Sequence, residues 1–328
     1  MKAIVIAGPT SVGKTDLSLY LAEKLKNVEI VSCDSMQIYK DMDIGTDKVS
    51  KDIRKKFPHY MIDIITPREK LALGEFVKKA YTHIQDIFSR GKIPIIVGGT
   101  TLYMHFLIYN LPIFTKKDNT LIKYLENLNN EELFEIIKKH FPEISKKISK
   151  NDRKRLLRYS ELALKGENLN LNFWDNLEKR FSFVGIFLNR KKENIFKNIE
   201  KRVDKQIERG LIEEVKNIIK KYNFQETLDK FFFENKKKDF KEIYKNFQRY
   251  FDDFPALQGH SYKEIIFYLY NVLSLDEAKA WIVKSTKNYA RRQIRWLKKY
   301  LDKDKVWKMY DIESISFEDI FKDVKNEI

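Results

Sequence analysis

A single cysteine, Cys33, serves all 328 residues. That scarcity excludes an intramolecular disulfide and any cysteine-rich zinc site, and it suits a reducing compartment. Long apolar runs are also missing. None approaches the roughly 20 residues that a membrane helix needs. The N-terminal run Lys2 to Ala7 is too short for a signal peptide. These absences lead us to expect a cytoplasmic protein without a membrane partner. No internal repeat is evident, so a solenoid or propeller is not expected. At this length, roughly two domains are expected, and an apolar content of 43% is enough for a real core.

Acidic residues are outnumbered, and unevenly so. Residues 1–110 hold 16 Lys and Arg against 12 Asp and Glu. Of the formal net charge of +16, +12 therefore falls on the remaining 218 residues. Such an excess suits a polyanionic partner, although a lysine-rich surface alone would give the same count.

The most specific stretch comes first. Lys2-Ala3-Ile4-Val5-Ile6-Ala7 reads as an apolar strand. Gly8-Pro9-Thr10-Ser11-Val12-Gly13-Lys14-Thr15 fits G-x-x-x-x-G-K-[ST], the phosphate-binding P-loop. Leu17, Leu21 and Leu25 follow at helical spacing. Strand, loop and helix are the context the motif needs. Backbone N–H groups form a nest for phosphate oxygens, and the helix N-terminus faces the same anion. Lys14 adds a cation, and the Thr15 hydroxyl is suited to Mg²⁺.

Further strands are expected over Glu29-Ile30-Val31-Ser32-Cys33-Asp34, over Ile93 to Val97, and over Phe183 to Leu188. Helices are expected over Phe76–Phe88, Thr101–Tyr109, Glu193–Glu208 and Leu211–Tyr222. This alternation predicts an α/β fold: a P-loop NTPase-like parallel sheet flanked by helices. Residues 113–180 lose the alternation. They read as a wholly helical insertion between core segments 1–112 and 181–328, clearest over Glu131–Phe141 and Asn151–Lys165. Residues 225–253 show little regular pattern, Glu264–Tyr300 reads as helix, and the tail after Asp302 carries no signal.

The P-loop, Asp34 and Thr100 all fall at carboxyl ends of expected strands, where ligands bind in such sheets. A Walker-type NTPase holds Mg²⁺ with an aspartate at a strand end. Here the late strand ends Val97-Gly98-Gly99, without an acid. Asp34 is therefore a candidate general base, or simply a helix N-cap. Thr100 is a candidate donor to an anionic leaving group. Trp281 to Tyr300 holds seven cationic side chains and no acid. Lys284, Lys287, Arg291, Arg295 and Lys298 share one helical stripe, opposite Trp281, Ile282, Tyr289, Trp296 and Leu297. A second basic cluster contains Lys150, Arg153, Lys154, Arg155 and Arg158. Two basic surfaces suit an elongated nucleic acid.

Taken in order, these residues resemble the tRNA dimethylallyltransferases (tRNA isopentenyltransferases). The resemblance spans nearly the whole chain. It includes the P-loop, Ser32-Cys33-Asp34-Ser35-Met36-Gln37-Ile38-Tyr39, Met42-Asp43-Ile44-Gly45-Thr46 and His59-Tyr60-Met61-Ile62-Asp63. It continues with Gly98-Gly99-Thr100-Thr101-Leu102-Tyr103, Asn151-Asp152-Arg153-Lys154-Arg155, Arg202-Val203-Asp204, Gly210 to Val215, and Tyr289-Ala290-Arg291-Arg292-Gln293.

The resemblance implies that Gly8 through Thr15, with Arg202, bind the diphosphate of dimethylallyl diphosphate, with Mg²⁺ on Thr15. It implies that Asp34 takes a proton from a flipped adenine next to the anticodon, and that Thr100 contacts the leaving oxygen. It places Ser35, Gln37, Tyr39, Arg155, Arg158, Lys284, Lys287, Arg291 and Arg295 on the tRNA side, with the insertion gripping the anticodon stem-loop. No obligate protein partner is implied. Three stretches depart from the family pattern: Met36 where arginine is usual, Gly259-His260-Ser261 where glycine precedes the tyrosine, and the longer 225–253 segment. An adenylate isopentenyltransferase or a P-loop small-molecule kinase would share the P-loop and Asp34, and both stay open on the residues alone.

Overall fold

The computed structural model describes residues 1–111, 115, 117–167 and 177–328. Six strands form one parallel sheet: β1 (Ala3–Ala7), β2 (Val28–Ser32), β3 (His59–Tyr60), β4 (Ile93–Gly98), β5 (Phe183–Asn189) and β6 (Trp307–Asp311), in spatial order β3-β2-β4-β1-β5-β6. β1 lies at the centre, with Ile4 opposite Ile95 on one side and Val184 on the other. Every residue of β1 is buried. A strand covered on both faces has no polar side to display, which is why its sequence is continuously apolar rather than alternating.

The early helices are α1 (Lys14–Leu25), α2 (Lys51–Lys56), α3 (Leu73–Ser89) and α4 (Thr101–Ile108). Leu17 and Leu21 of α1 pack on Ile4, Ile6 and Ile30, and Ile320 and Val324 near the C-terminus belong to the same core. The expected helix over 76–88 is the central part of α3, whose Phe76, Val77, Ala80, Ile84 and Ile87 are all buried. The predicted strand over 183–188 is β5, and it joins the sheet beside β1.

The chain divides into two compact units, residues 1–110 with 179–328, and residues 111–178. The second contains α5 (Asn119–Glu126), α6 (Asn130–His140), α7 (Pro142–Ser145) and α8 (Arg153–Leu164). Leu125, Leu133, Ile137, Leu156 and Leu162 form its own buried core. Residues 168–176, read above as helical, lie outside the described residues.

The first unit continues with α9 (Lys192–Glu208), α10 (Leu211–Lys221), α11 (Gln225–Asn235), α12 (Phe240–Tyr250), a 3₁₀ turn at Pro255–Gln258, α13 (Tyr262–Leu269), α14 (Leu275–Lys303) and α15 (Phe317–Lys325). Three expectations are corrected here. Residues 225–253 are not irregular: they form the α11–α12 pair, held by Phe231 against Phe247 and Phe251. The dense mixture of Lys and Phe hid their periodicity. Residues 264–300 are not one helix. The chain breaks after Leu269, with Asn271 at φ 54° and the Ser274 side chain capping α14. The tail is structured as well, because β6 pairs with β5 and thereby gains hydrogen bonds that no local pattern reveals.

The ends of β2 and β4 approach closely. Cys33 N–H donates to the Val97 carbonyl at 2.7 Å. A Cβ placed on Gly98 would sit 2.0 Å from the Cys33 carbonyl oxygen. That atom is backbone, so it cannot swing aside. Gly98→Ala should therefore destabilise the fold by about 1–3 kcal/mol, the cost typical of overpacking. The midpoint of urea unfolding, compared with a Gly91→Ala control, checks this. Gly91 has open space around it but a φ of 70°, so the control measures backbone strain alone.

Candidate active site

A cavity of about 840 Å³ lies at the carboxyl ends of β1, β2 and β4. Thr10, Ser11, Gly13, Lys14, Thr15, Asp34, Ser35, Gln37, Thr100 and Arg202 all line it. The parallel sheet brings them together because every strand delivers its following loop to the same edge.

The P-loop is built on two left-handed residues, Ser11 at φ 61° and Gly13 at φ 108°. α1 begins immediately after, at Lys14. The Lys14 ammonium donates to the carbonyls of Gly8 at 3.0 Å and Pro9 at 2.7 Å. Burial pushes its pKa down to about 8, the Arg202 charge pushes the same way, and Asp34 opposes both. The buried Ser11 hydroxyl has no hydrogen-bond partner among the described residues. Arg202 Nη1 donates to the Thr10 hydroxyl at 2.9 Å, and its Nε pairs with Asp47 at 3.1 Å. Gly8 is packed under the loop, where a Cβ would meet the Leu188 carbonyl at 2.9 Å. Val12 is buried in the sheet core.

Asp34 closes the turn at the end of β2 and also lines the cavity. Its Oδ1 accepts from the N–H groups of Met36 at 2.8 Å and Gln37 at 3.3 Å, closing the turn like a cap. Its Oδ2 makes no hydrogen bond among the described residues. Thr100 stands beside it. Its hydroxyl accepts from Ser35 N–H at 3.0 Å and lies 3.3 Å from the Ser35 hydroxyl. Thr100 precedes α4 but makes no side-chain cap there. Gln37 is held at both ends of its amide, by the Ser32 hydroxyl at 2.9 Å and the Thr46 carbonyl at 3.2 Å.

Two predicted contact residues are buried or committed to other partners. Tyr39 is 2% exposed and does not line the cavity. Arg158 pairs with the fully buried Glu161 at 2.6 Å and donates to the Thr115 carbonyl. Arg155 is exposed and, among the described residues, pairs with Asp152, one turn away. In the α14 stripe, Lys284 lies over Trp281, and Lys287 and Arg291 lie over Phe196 of α9. Lys287 also pairs with Glu200 of α9 at 2.6 Å, so the stripe is not free of acids once the chain has folded. Arg295 and Lys298 are exposed.

Three further residues organise the site. Gln293, buried on α14, accepts from Thr10 N–H at 2.9 Å and donates to the Gly99 carbonyl at 2.7 Å. Glu214 on α10 accepts from the N–H groups of Asp43, Ile44 and Gly45 and from the Tyr262 hydroxyl. Gln206 on α9 donates to the carbonyls of Ile44 and Gly45. Together Glu214 and Gln206 hold the loop that carries Thr46 and Asp47. Glu214 and Gln293 fall inside the quoted motifs, Gln206 outside them, and none is singled out by its chemistry. His260 also lines the cavity, and burial pushes its pKa down to about 4, so it is neutral at pH 7. The Ser285 hydroxyl donates to the Ile282 carbonyl, so its oxygen accepts from His260 Nδ1–H.

The lowered pKa of Lys14 carries a prediction. An anion bound on the P-loop favours the charged ammonium. Above pH 8 the free lysine is mostly neutral, so binding must take up a proton. Pyrophosphate affinity should then lose up to about tenfold per pH unit above pH 8, relative to Lys14→Ala. Calorimetric titrations of both proteins between pH 7 and 9.5 measure this difference. Parallel pH profiles for the two would refute it.

Comparison with known proteins agrees with this architecture. A family profile described as IPP transferase matches residues 37–300, and one described as isopentenyl transferase matches residues 1–63. A protein named tRNA dimethylallyltransferase from Sulfurihydrogenibium sp. (strain YO3AOP1) is 37% identical over 306 residues, covering 92% of this chain and 91% of that protein. One of the same name from Halothermothrix orenii is 37% identical over 331 residues, covering 98% and 91%. Among solved structures, a tRNA delta(2)-isopentenylpyrophosphate transferase from Staphylococcus epidermidis is 32% identical, with TM-score 0.66 over 99% of this chain and 97% of that one. A eukaryotic dimethylallyltransferase acting on tRNA gives TM-score 0.74 at 28% identity, over 94% and 73%. With its P-loop, Asp34 and Thr100 gathered at one sheet edge, and with these relatives along almost its full length, the chain belongs to the IPP transferase family.

Proposed function

We propose that this protein transfers a dimethylallyl group from dimethylallyl diphosphate to the exocyclic amine of the adenine 3′ of the anticodon in tRNA, releasing diphosphate. One observation carries the reading. A single cavity joins a phosphate-binding loop to a carboxylate whose outer oxygen is available, and its volume exceeds what a diphosphate alone requires. The rest of the space suits a base turned out of its stack, without which the amine could not be reached.

The residues divide the work. The P-loop N–H groups, Lys14 and Arg202 bind and orient the diphosphate. The adenine amine nitrogen attacks the first carbon of the allyl group as the carbon–oxygen bond breaks, and the bonding electron pair leaves on the diphosphate. Thr100 donates to the departing oxygen. Asp34 Oδ2 receives the proton that the amine gives up. Of the aspartates lining the cavity, Asp47 is paired with Arg202 and Arg209, whereas Asp34 stands beside Thr100 at the end of β2, where a base would be needed.

Mg²⁺ fits the donor set. No group of three His, Cys, Asp or Glu able to cage a metal exists among the described residues, and Mg²⁺ is commonly held by few protein oxygens plus phosphates. Thr15, lining the cavity, would hold it, and it would neutralise charge growing on the leaving diphosphate. We assign the anticodon stem-loop to the helical unit 111–178, through exposed cations such as Arg155, together with Ser35 and Gln37 at the cavity and Arg291 and Arg295 on α14. An oligonucleotide substrate, rather than a free adenylate, is favoured by the basic residues placed outside the cavity.

Incubating the protein with bulk tRNA and labelled dimethylallyl diphosphate, then digesting to nucleosides, tests the activity directly. Label in no nucleoside, or in free AMP only, would overturn it. Asp34→Asn keeps the turn but removes the proton acceptor. It should lower kcat by about 10²–10⁴-fold with little change in tRNA affinity. Near-normal turnover would remove Asp34 from its role.

A further inference from the structure

α9 sorts its charges by face. Glu200 and Asp204, four residues apart, turn toward α14, where Glu200 pairs with Lys287 at 2.6 Å and Asp204 with Lys279 at 2.7 Å. Glu208, one turn on, also acts on Lys279. Three of the four acids of α9, all but Glu193, therefore act on lysines of α14. On the neighbouring face, Lys201 and Lys205 line the cavity and are exposed. Arg209 continues that row, but it pairs with Asp47 at 3.2 Å. Asp47, the nearby carboxylate on the facing loop, is thus taken by Arg209 and Arg202. Neither Lys201 nor Lys205 makes an ion pair among the described residues.

We propose that Lys201 and Lys205 form a phosphate track at the cavity, which holds the RNA strand flanking the base that enters. The inference rests on the RNA-modifying function proposed above. Three features favour an RNA strand over a small anion. The P-loop, Lys14 and Arg202 already form a separate anion site. Two cations at i and i+4 lie one above the other, about 6 Å apart along the helix, so they present a line rather than a pocket. A strand whose base is turned into the cavity must carry its own phosphates past the rim. A merely solvated face would not require the nearby acids Glu200 and Asp204 to be engaged by lysines of α14, leaving Lys201 and Lys205 unpaired among the described residues.

The test is salt-dependent binding by the full chain. The probes are a hairpin RNA with an unpaired adenine in its loop and a fully paired duplex of equal length, each titrated at four salt concentrations by anisotropy. For single strands, each phosphate contact adds about 0.7 to the log–log slope. K201Q/K205Q should therefore flatten the hairpin slope by about one to one and a half units and leave the duplex slope unchanged. K201R/K205R should keep the wild-type slope. Dimethylallyl diphosphate should still raise the melting temperature of both variants, which shows an intact fold and P-loop. An unchanged hairpin slope overturns the track, as does equal flattening on both RNAs, which would mean general surface charge. Wild-type protein that binds neither RNA overturns the proposed function together with the track. Wild-type binding and dimethylallyl transfer, with no slope change in K201Q/K205Q, overturn the track alone.

Discussion

The amide of Gln293 ties the site together. It reaches from α14 to accept from Thr10 N–H in the P-loop and to donate to the carbonyl of Gly99, just past β4. Thr10 and Gln293 are 283 residues apart in the chain. The bond to Gly99 is buried and the one from Thr10 partly so, and losing the buried one would strand a polar group. Through it the first loop and the last long helix have one geometry. Tyr289 strengthens the same junction, its hydroxyl donating to the Gly99 carbonyl at 3.1 Å. A P-loop whose shape is set from outside is pre-organised for its anion.

Charge is placed with the same economy. Lys14 is buried beneath the loop with Asp34 and Arg202 nearby, and burial dominates, so its charge is held at a cost that a bound diphosphate would relieve. Arg202 is shared between Thr10 and Asp47, and Asp47 sits on the loop that Glu214 and Gln206 grip. A carboxylate accepting three backbone N–H groups and a tyrosine hydroxyl is a strong anchor. Gly45 is needed there because a Cβ would lie 2.5 Å from the Tyr262 ring. The loop therefore has little freedom, and Gln37, bonded to the Thr46 carbonyl, inherits that rigidity.

Two of the departures from the family pattern meet in space. A Cβ on Gly259 would lie 2.4 Å from Met36 Cε, so the methionine packs on the segment that contains Gly259-His260-Ser261. Ser261 adopts φ 76°, a conformation that glycine reaches without strain. Its N–H is satisfied by Glu264, and its hydroxyl bonds to Gln206 at 3.3 Å. The hydroxyl contact is one that a glycine could not make, gained in exchange for backbone strain.

The sequence by itself determined the parallel α/β core, the phosphate loop, and Asp34 and Thr100 as its companions. Those signals are local: a buried strand is continuously apolar, a P-loop has fixed spacing, and strand ends share one edge. It also determined the helical character of 131–141 and 151–165. Only the tertiary structure decided the rest. β6 is a strand because β5 lies beside it, and α11 and α12 hold each other through phenylalanines whose period was masked by lysines. Tyr39 and Arg158 looked like surface residues but are buried or committed to Glu161, since side-chain chemistry does not reveal which way a loop or helix faces. The α14 stripe looked uncompensated because its acidic partner, Glu200, is 87 residues away on another helix. Gln293, Glu214 and Gln206 were invisible as site residues for the same reason: a hydrogen bond is a fact of distance, and distance between remote residues is set only when the chain folds.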